Sequence, residues 1–178
     1  MAAVQAQASL RILGIDPGSI TTGFGVIELD RQGRLRYVAS GCIRLRGIHM
    51  SQRLHGLFAQ LSELIDEFHP HEAGIERVFV QRNIASALKL GQARGVALCA
   101  LAQAALPIGE YAAREVKLAV VGHGSASKLQ VQHMIISLLS LSGRPQADAA
   151  DALAVAVCHA HVHRQPLQRQ AANGASHT

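Results

Sequence analysis

An apolar run that ends on a lone carboxylate constrains this chain more than any other feature. Arg11 to Val26 reads RILGIDPGSITTGFGV, with alternating and β-branched apolar residues, then Asp16, then Pro17-Gly18-Ser19. A second apolar segment, Gly23 to Leu29, follows within a few residues. The pattern predicts a hairpin that holds Asp16 near the middle of a sheet. An ionised acid there is costly to desolvate unless it is neutralised, hydrogen-bonded or bound to a cation. An Asp that only starts a turn is the simpler alternative, so the choice rests on what the remaining chain brings to it.

Arg34 to Ile43 alternates as a third strand, joined through a tight turn from Asp30 to Gly33. Leu54, Leu57, Phe58, Leu61, Leu64, Ile65 and Phe68 fall at helical spacing, with Ser51 available as a cap and Pro70 forbidding continuation. Ala73 to Val80 is a β-rich run with Glu76 in its middle. A helix over about Asn83 to Gln103 places Gly91 and Gly95 on one face beside Ala87 and Leu88, a surface that core packing or a subunit contact would serve equally. Leu106 to Tyr111 is a strand reached by a crossover, hence parallel to its neighbour.

Three helices close the chain: Ala112 to Val121 with Arg114 and Lys117, Ser127 to about Leu141 with Lys128 in its first turn, and Ala147 to His163. A lysine in a first turn opposes the helix dipole unless an anion is shared there. His159 and His163 share a face of the last helix, but its C-terminal dipole accounts for them more simply than a metal does. This order predicts an α/β domain over residues 11–163 with a mixed central β-sheet flanked by helices. Residues 1–10 are a short extension and 164–178 a polar, disordered tail.

With 178 residues, about half of them apolar, one domain is expected. Lys and Arg total 17 against 12 Asp and Glu, and the pI near 9.6 favours a polyanionic partner. Cys42, Cys99 and Cys158 are scattered among apolar residues, which suits buried thiols in a reducing compartment rather than disulfides or structural zinc. The first ten residues lack the pattern of a signal peptide, and no apolar run reads as long enough to span a bilayer. The expectation is a soluble, cytoplasmic protein with no membrane partner.

Of the 12 acids, eight sit where solvent explains them. The exceptions are Asp16 and Glu76, which interrupt apolar strands, and Asp148 and Asp151, which interrupt the alanine-rich run ADAADALAVAV. Residues three apart on a helix are neighbours, roughly 5–6 Å between Cβ atoms. If that helix starts over the sheet centre, four carboxylates converge, and two Mg²⁺ or Mn²⁺ ions would balance them. Such a pair suits in-line hydrolysis of a phosphodiester. Asp148 as a dipole-favoured N-terminal acid, or Glu76 paired with Arg77, are the competing readings; strand neighbours point to opposite faces, which weakens the second.

The combination ILGIDPGS with TTGFGV, GIERVF, SALKLGQARG, AAREVK with VVGHGSASK, and PQADAADALAVA resembles the RuvC family of Holliday junction resolvases, from about Arg11 to His163. The resemblance implies an RNase H-like fold and a homodimer that makes paired, Mg²⁺-dependent nicks in four-way junction DNA, leaving 5′-phosphates. It further implies cooperation with the RuvA and RuvB branch-migration proteins in recombination and repair. The family's metal-binding, catalytic acids match Asp16, Glu76, Asp148 and Asp151, with His at the position of Asp148 in some relatives. Its basic residues near the scissile bond match Lys117 and Lys128, and its base-stacking aromatic matches Phe79.

Two other classes compete. The Asp-x-Gly-Ser pattern also resembles the first phosphate loop of actin-like ATPases, but those need a second duplicated domain and this chain is too short. A purely architectural junction binder is the other, yet four acids facing phosphates would only weaken it.

Overall fold

The computed structural model describes residues 9–78 and 83–174, with side chains described up to residue 163. Phe79 therefore lies outside the described residues. Five strands form one sheet: β1 (Leu10–Asp16), β2 (Thr21–Leu29), β3 (Leu35–Arg44), β4 (Glu72–Arg77) and β5 (Ile108–Ala112), in the order β3-β2-β1-β4-β5. The first three are antiparallel neighbours, while β4 lies parallel to β1 and β5 parallel to β4. Helices α1 (Met50–Phe68) and α2 (Ile84–Gln103) are the crossovers on one face. Helices α3 (Ala113–Val121), α4 (Lys128–Leu138) and α5 (Ala147–Gly174) cover the other.

Strand parity divides the core. Leu13, Ile15, Ala73 and Ile75 point to α1 and α2, where Leu57, Leu61, Ala97 and Leu101 are fully buried. Ile12, Ile27 and Leu29 point the opposite way, onto Leu153, Val155 and Ile135. Each such aliphatic side chain contributes about 1.5–3 kcal/mol of burial free energy. The same parity sends Gly14, Asp16, Gly74 and Glu76 to the α5 face, because side chains alternate along a strand.

Glycines set how closely α5 approaches. A Cβ on Gly14 would overlap the carbonyl oxygen of Ala152, one on Gly23 the carbonyl oxygen of Asp148, and one on Gly25 would sit 2.8 Å from the Leu153 nitrogen. The alanines of α5 are small enough to use that lane: Ala149, Ala150, Ala152, Ala154 and Ala156 are all buried.

Several boundaries differ from the sequence reading. Helix α1 begins at Met50 with His49 at its cap, because Gln52 Oε1 accepts the backbone N–H groups of Ile48 and His49 at 3.1 and 3.2 Å; Ser51 lies inside the first turn. Asn83 caps α2 by accepting from the N–H of Ser86 at 3.1 Å. Helix α5 does not stop at His163 but continues to Gly174 through a stretch rich in good helix formers, so part of the expected tail is helical. By length and composition α2 is apolar enough to cross a membrane, contrary to the expectation that no run would be. Only one side of it is buried, through Ala93, Ala97, Ala100 and Leu101.

Candidate active site

The parallel register of β1 and β4 sets Ile15 opposite Ile75. The next residues, Asp16 and Glu76, therefore stand side by side on neighbouring strands, which run roughly 4.7–4.9 Å apart. Both face α5. The first turns of that helix rest on Gly23, the β2 partner of Asp16, and bring Asp148 and Asp151 over the same spot. Four acids separated by up to 135 positions in the chain thus lie at one end of the sheet, near enough for the charges of three to act on Asp16.

Their electrostatics follow from that crowding. Burial raises the pKa of Asp16 to about 8, and the charges of Glu76, Asp151 and Asp148 add to the effect, against a smaller opposing pull from Lys128. Glu76 is pushed up for the same first reason, burial, and then by Asp151; Lys128, a hydrogen bond with Asp16, and Lys117 act the other way. Lys128 Nζ donates to Asp151 Oδ2 at 2.9 Å, which answers the question posed by a lysine in the first turn of α4: its anion is this carboxylate. That bond in turn raises the lysine's own pKa.

A recess of about 230 Å³ opens over the cluster, lined by Asp16, Glu76, Asp151, Lys117 and Lys128 with Val116 and Val131 at its apolar side. A second, about 400 Å³, lies on the other side of Glu76 and runs from Asp16 and Ser19 to Asn83 and Ser86 of the α2 start. Asp148 occupies the opposite flank, where its charge raises both Asp16 and the Cys42 thiol of β3, the latter mainly through burial. Partly dehydrated carboxylates at one end of the sheet, with an ammonium on one of them, have the oxygen chemistry that hard divalent cations take, although among the described residues no three side chains stand, as placed, within reach of a single ion.

Two arginines hold the backbone around Glu76, and the sequence points to no role for the first of them. Arg94 of α2 donates from Nε to the Glu76 carbonyl at 3.2 Å and pairs with Glu110 of β5. Arg77 donates to the Glu110 carbonyl at 3.2 Å and pairs with Glu115 at 3.0 Å, so it does not neutralise Glu76. Arg94 stands in SALKLGQARG, yet nothing in that string signals a bond to a carbonyl 18 residues earlier.

Other expectations need correction. Solvent does not explain all eight remaining acids: Glu28 is 5% exposed and is clamped by Arg11 and Arg36, and those hydrogen bonds, from Arg36 first, hold its pKa below the usual carboxylate value. Glu72 binds His159 Nε2 at 2.7 Å and His163 Nδ1 at 3.3 Å, while His159 Nδ1 meets the Tyr111 hydroxyl at 2.9 Å. The histidines thus serve this network, not a helix C-terminus, since α5 runs on past them. Of the cysteines Cys158 is buried and Cys42 half-buried, but Cys99 is exposed on α2.

Residues 12–159 match the family model described as crossover junction endodeoxyribonuclease RuvC. A protein of that description from Hahella chejuensis is 54% identical over 160 residues, covering 90% of this chain and 92% of the relative. One from Photobacterium profundum is 58% identical over 154 residues, 86% of this chain and 88% of the relative. Among solved structures, Thermus thermophilus RuvC in complex with Holliday junction substrate superposes with a TM-score of 0.82 at 31% identity, covering 88% of this chain and 96% of that one. The yeast mitochondrial Holliday junction resolvase Ydc2 shares the fold at a TM-score of 0.67 and 13% identity, covering 90% of this chain and 84% of that one. The mixed five-stranded sheet with flanking helices is thus an RNase H-like fold.

Proposed function

The chain belongs to the RuvC family of crossover junction endodeoxyribonucleases, and from that premise we propose that it resolves Holliday junctions, nicking four-way DNA symmetrically in two strands during recombination and repair. The observation that carries this reading is the convergence of Asp16, Glu76, Asp148 and Asp151, with Asp16 raised to about 8. Asp16 and Glu76, on adjacent strands, would hold the centre of a site for two Mg²⁺ ions, with Mn²⁺ as a substitute, and Asp148 and Asp151 would complete it from α5. When bound, such ions activate water for in-line attack and stabilise the leaving oxygen. The products are a 5′-phosphate and a 3′-hydroxyl.

The remaining groups act on the phosphate. Lys117 and Lys128 line the recess beside the acids and neutralise charge that develops on the phosphoryl oxygens. Lys128 is bonded to Asp151, so it is already aimed at the site. Phe79, two positions beyond the last residue of β4 in the sequence, would stack on a base beside the cut.

A junction with two-fold symmetry requires two such sites related by two-fold symmetry, hence a homodimer. Ile84 and Leu88 are 73% and 65% exposed on α2, and open space lies over Gly91 and Gly95 on the same side. We read this apolar stripe as the subunit face, not as a membrane span. Cooperation with RuvA and RuvB in the cytoplasm accompanies the assignment.

The test is a gel assay of a synthetic four-way junction against linear duplex, with and without Mg²⁺. Paired nicks in the junction alone, dependent on the ion and lost in Asp16→Asn while binding persists, are expected. Substantial cleavage by Asp16→Asn would overturn the site assignment.

A further inference from the structure

Several arginines among the described residues are held in ion pairs. Arg11, Arg34, Arg36, Arg77 and Arg94 each pair with a carboxylate. Arg44 and Arg46 differ from these: both are exposed, and neither side chain has a hydrogen bond or ion pair among the described residues. They share a groove of about 630 Å³ with Cys42, Gly56, Gln60 and Gln146, and no carboxylate lines it. The groove straddles the free edge of β3, between α1 and the residue preceding α5.

Its position relative to the acids is fixed by strand register. Asp16 pairs with Gly23, and Gly23 with Cys42, so Cys42 lies two strands from Asp16, roughly 10 Å at ordinary strand spacing. The Cys42 thiol lies close enough to the start of α5 for the Asp148 charge and the Ala149 N–H to act on it, and Arg44 follows two residues on, on the same face as Cys42. The groove therefore begins at the Asp148 flank and leads away from it. Gly56 keeps its wall low, with open space where a side chain would stand. Two unpaired guanidinium forks and two amides form a donor-rich lining suited to phosphate oxygens.

Building on the junction-cleavage reading above, we propose that this groove binds the DNA sugar-phosphate backbone next to the scissile bond, with Arg44 and Arg46 each holding a phosphate. The protein would then grip its substrate on both sides of the acids, through Lys117 and Lys128 on one flank and the two arginines on the other. Because an Arg–phosphate contact displaces condensed counterions, it leaves a signature in the salt dependence of binding that a purely structural residue lacks.

The experiment measures four-way junction affinity against salt in an Asp16→Asn background, without Mg²⁺, for the parent, Arg44→Gln/Arg46→Gln, Arg44→Lys/Arg46→Lys and, as a control, Arg34→Gln at the distant end of the β2–β3 hairpin. The double Gln variant is expected to bind about 10-fold or more weakly at 0.1–0.2 M salt and to lose roughly two units of the slope of log K against log salt. The Lys variant should recover most of the slope, and Arg34→Gln should match the parent. Identical affinity and slope for the Gln variant and parent would overturn the groove assignment and leave the family reading intact. Failure of the parent to prefer the junction over duplex would instead remove the reading on which the groove rests.

Discussion

Arg94 Nε donates to the main-chain carbonyl of Glu76 at 3.2 Å, so a helix whose opposite side is exposed holds one of the four clustered acids by its backbone. The same guanidinium pairs with Glu110 on the neighbouring strand. Removing a group that orients a metal-site residue typically costs 10–100-fold in metal affinity or activity. Arg94→Ala should therefore lower the rate of Mg²⁺-dependent junction cleavage by about 10-fold or more and raise the Mg²⁺ concentration needed for half-maximal rate, with junction affinity retained. A Mg²⁺ titration of single-turnover cleavage reads both; an unchanged midpoint and rate would refute the link.

Asp16 is more protonated in the folded chain than in the unfolded one. Its pKa rises from 3.8 to about 8 on folding, so the group favours the folded state fully below pH about 4, and that contribution is lost as pH rises through about 8. Asn at this position carries no such charge. In EDTA, the melting temperature of Asp16→Asn should exceed that of the parent by a margin that grows between pH 5 and pH 9, at roughly 2–4 °C per kcal/mol. Mg²⁺ should narrow the margin, because it stabilises the parent more. Parallel melting curves across that range would contradict the electrostatic account.

Glu28 shows the opposite linkage. Its folded pKa is lowered by Arg36 and Arg11, so its contribution is present above pH 4.5 and disappears as the solution is acidified through the folded value. Glu28→Gln should cost about 1–3 kcal/mol at neutral pH and less in acid. Urea unfolding at several pH values measures this, and junction cleavage by the folded variant should be unaffected.

His159 joins Tyr111 to Glu72 inside the α5 face of the sheet and is 7% exposed. Replacing it by Ala leaves a buried hydroxyl and a carboxylate without this partner. The expected loss is about 2–4 kcal/mol, larger than for Tyr111→Phe at about 1 kcal/mol. A double-mutant cycle on these two positions should show coupling; simple additivity would mean the network adds nothing beyond its pairs.

Gly23→Ala separates position from stability. The added methyl would overlap the Asp148 carbonyl and lift the start of α5. Overpacking of this kind costs about 1–3 kcal/mol, which a chain this size can survive. A 1 Å displacement in a catalytic constellation can cost about 100-fold in rate. Cleavage should thus fall far more than stability, as measured by melting and single-turnover rate on the same preparation.

The strands, crossovers and the anomalous placement of the acids were readable because each leaves a local trace: period-two alternation, turn residues, and a charge where apolar residues surround it. That Asp16 and Glu76 face one side follows only once the parallel register of β1 and β4 is known. What was not readable is long-range pairing. Nothing local distinguishes Glu28, which is buried between Arg11 and Arg36, from an exposed acid at the end of a strand. The histidines of α5 answer to Glu72 and not to a helix end, and that acid, 87 positions from His159, leaves no trace in periodicity. The same helix runs past the His163 end that the sequence predicts and carries Pro166 within it.

Over Gly14, Gly23 and Gly25, the main chain of α5 rests on the main chain of the sheet with nothing interposed. A seam of that kind contains no rotamers, so it cannot absorb a change by rearranging; any enlargement on either side is transmitted undamped to Asp148 and Asp151. The spacing between the strand-borne and helix-borne acids is consequently a rigid dimension of the scaffold, and altering it would take a different way of laying the helix across the strands.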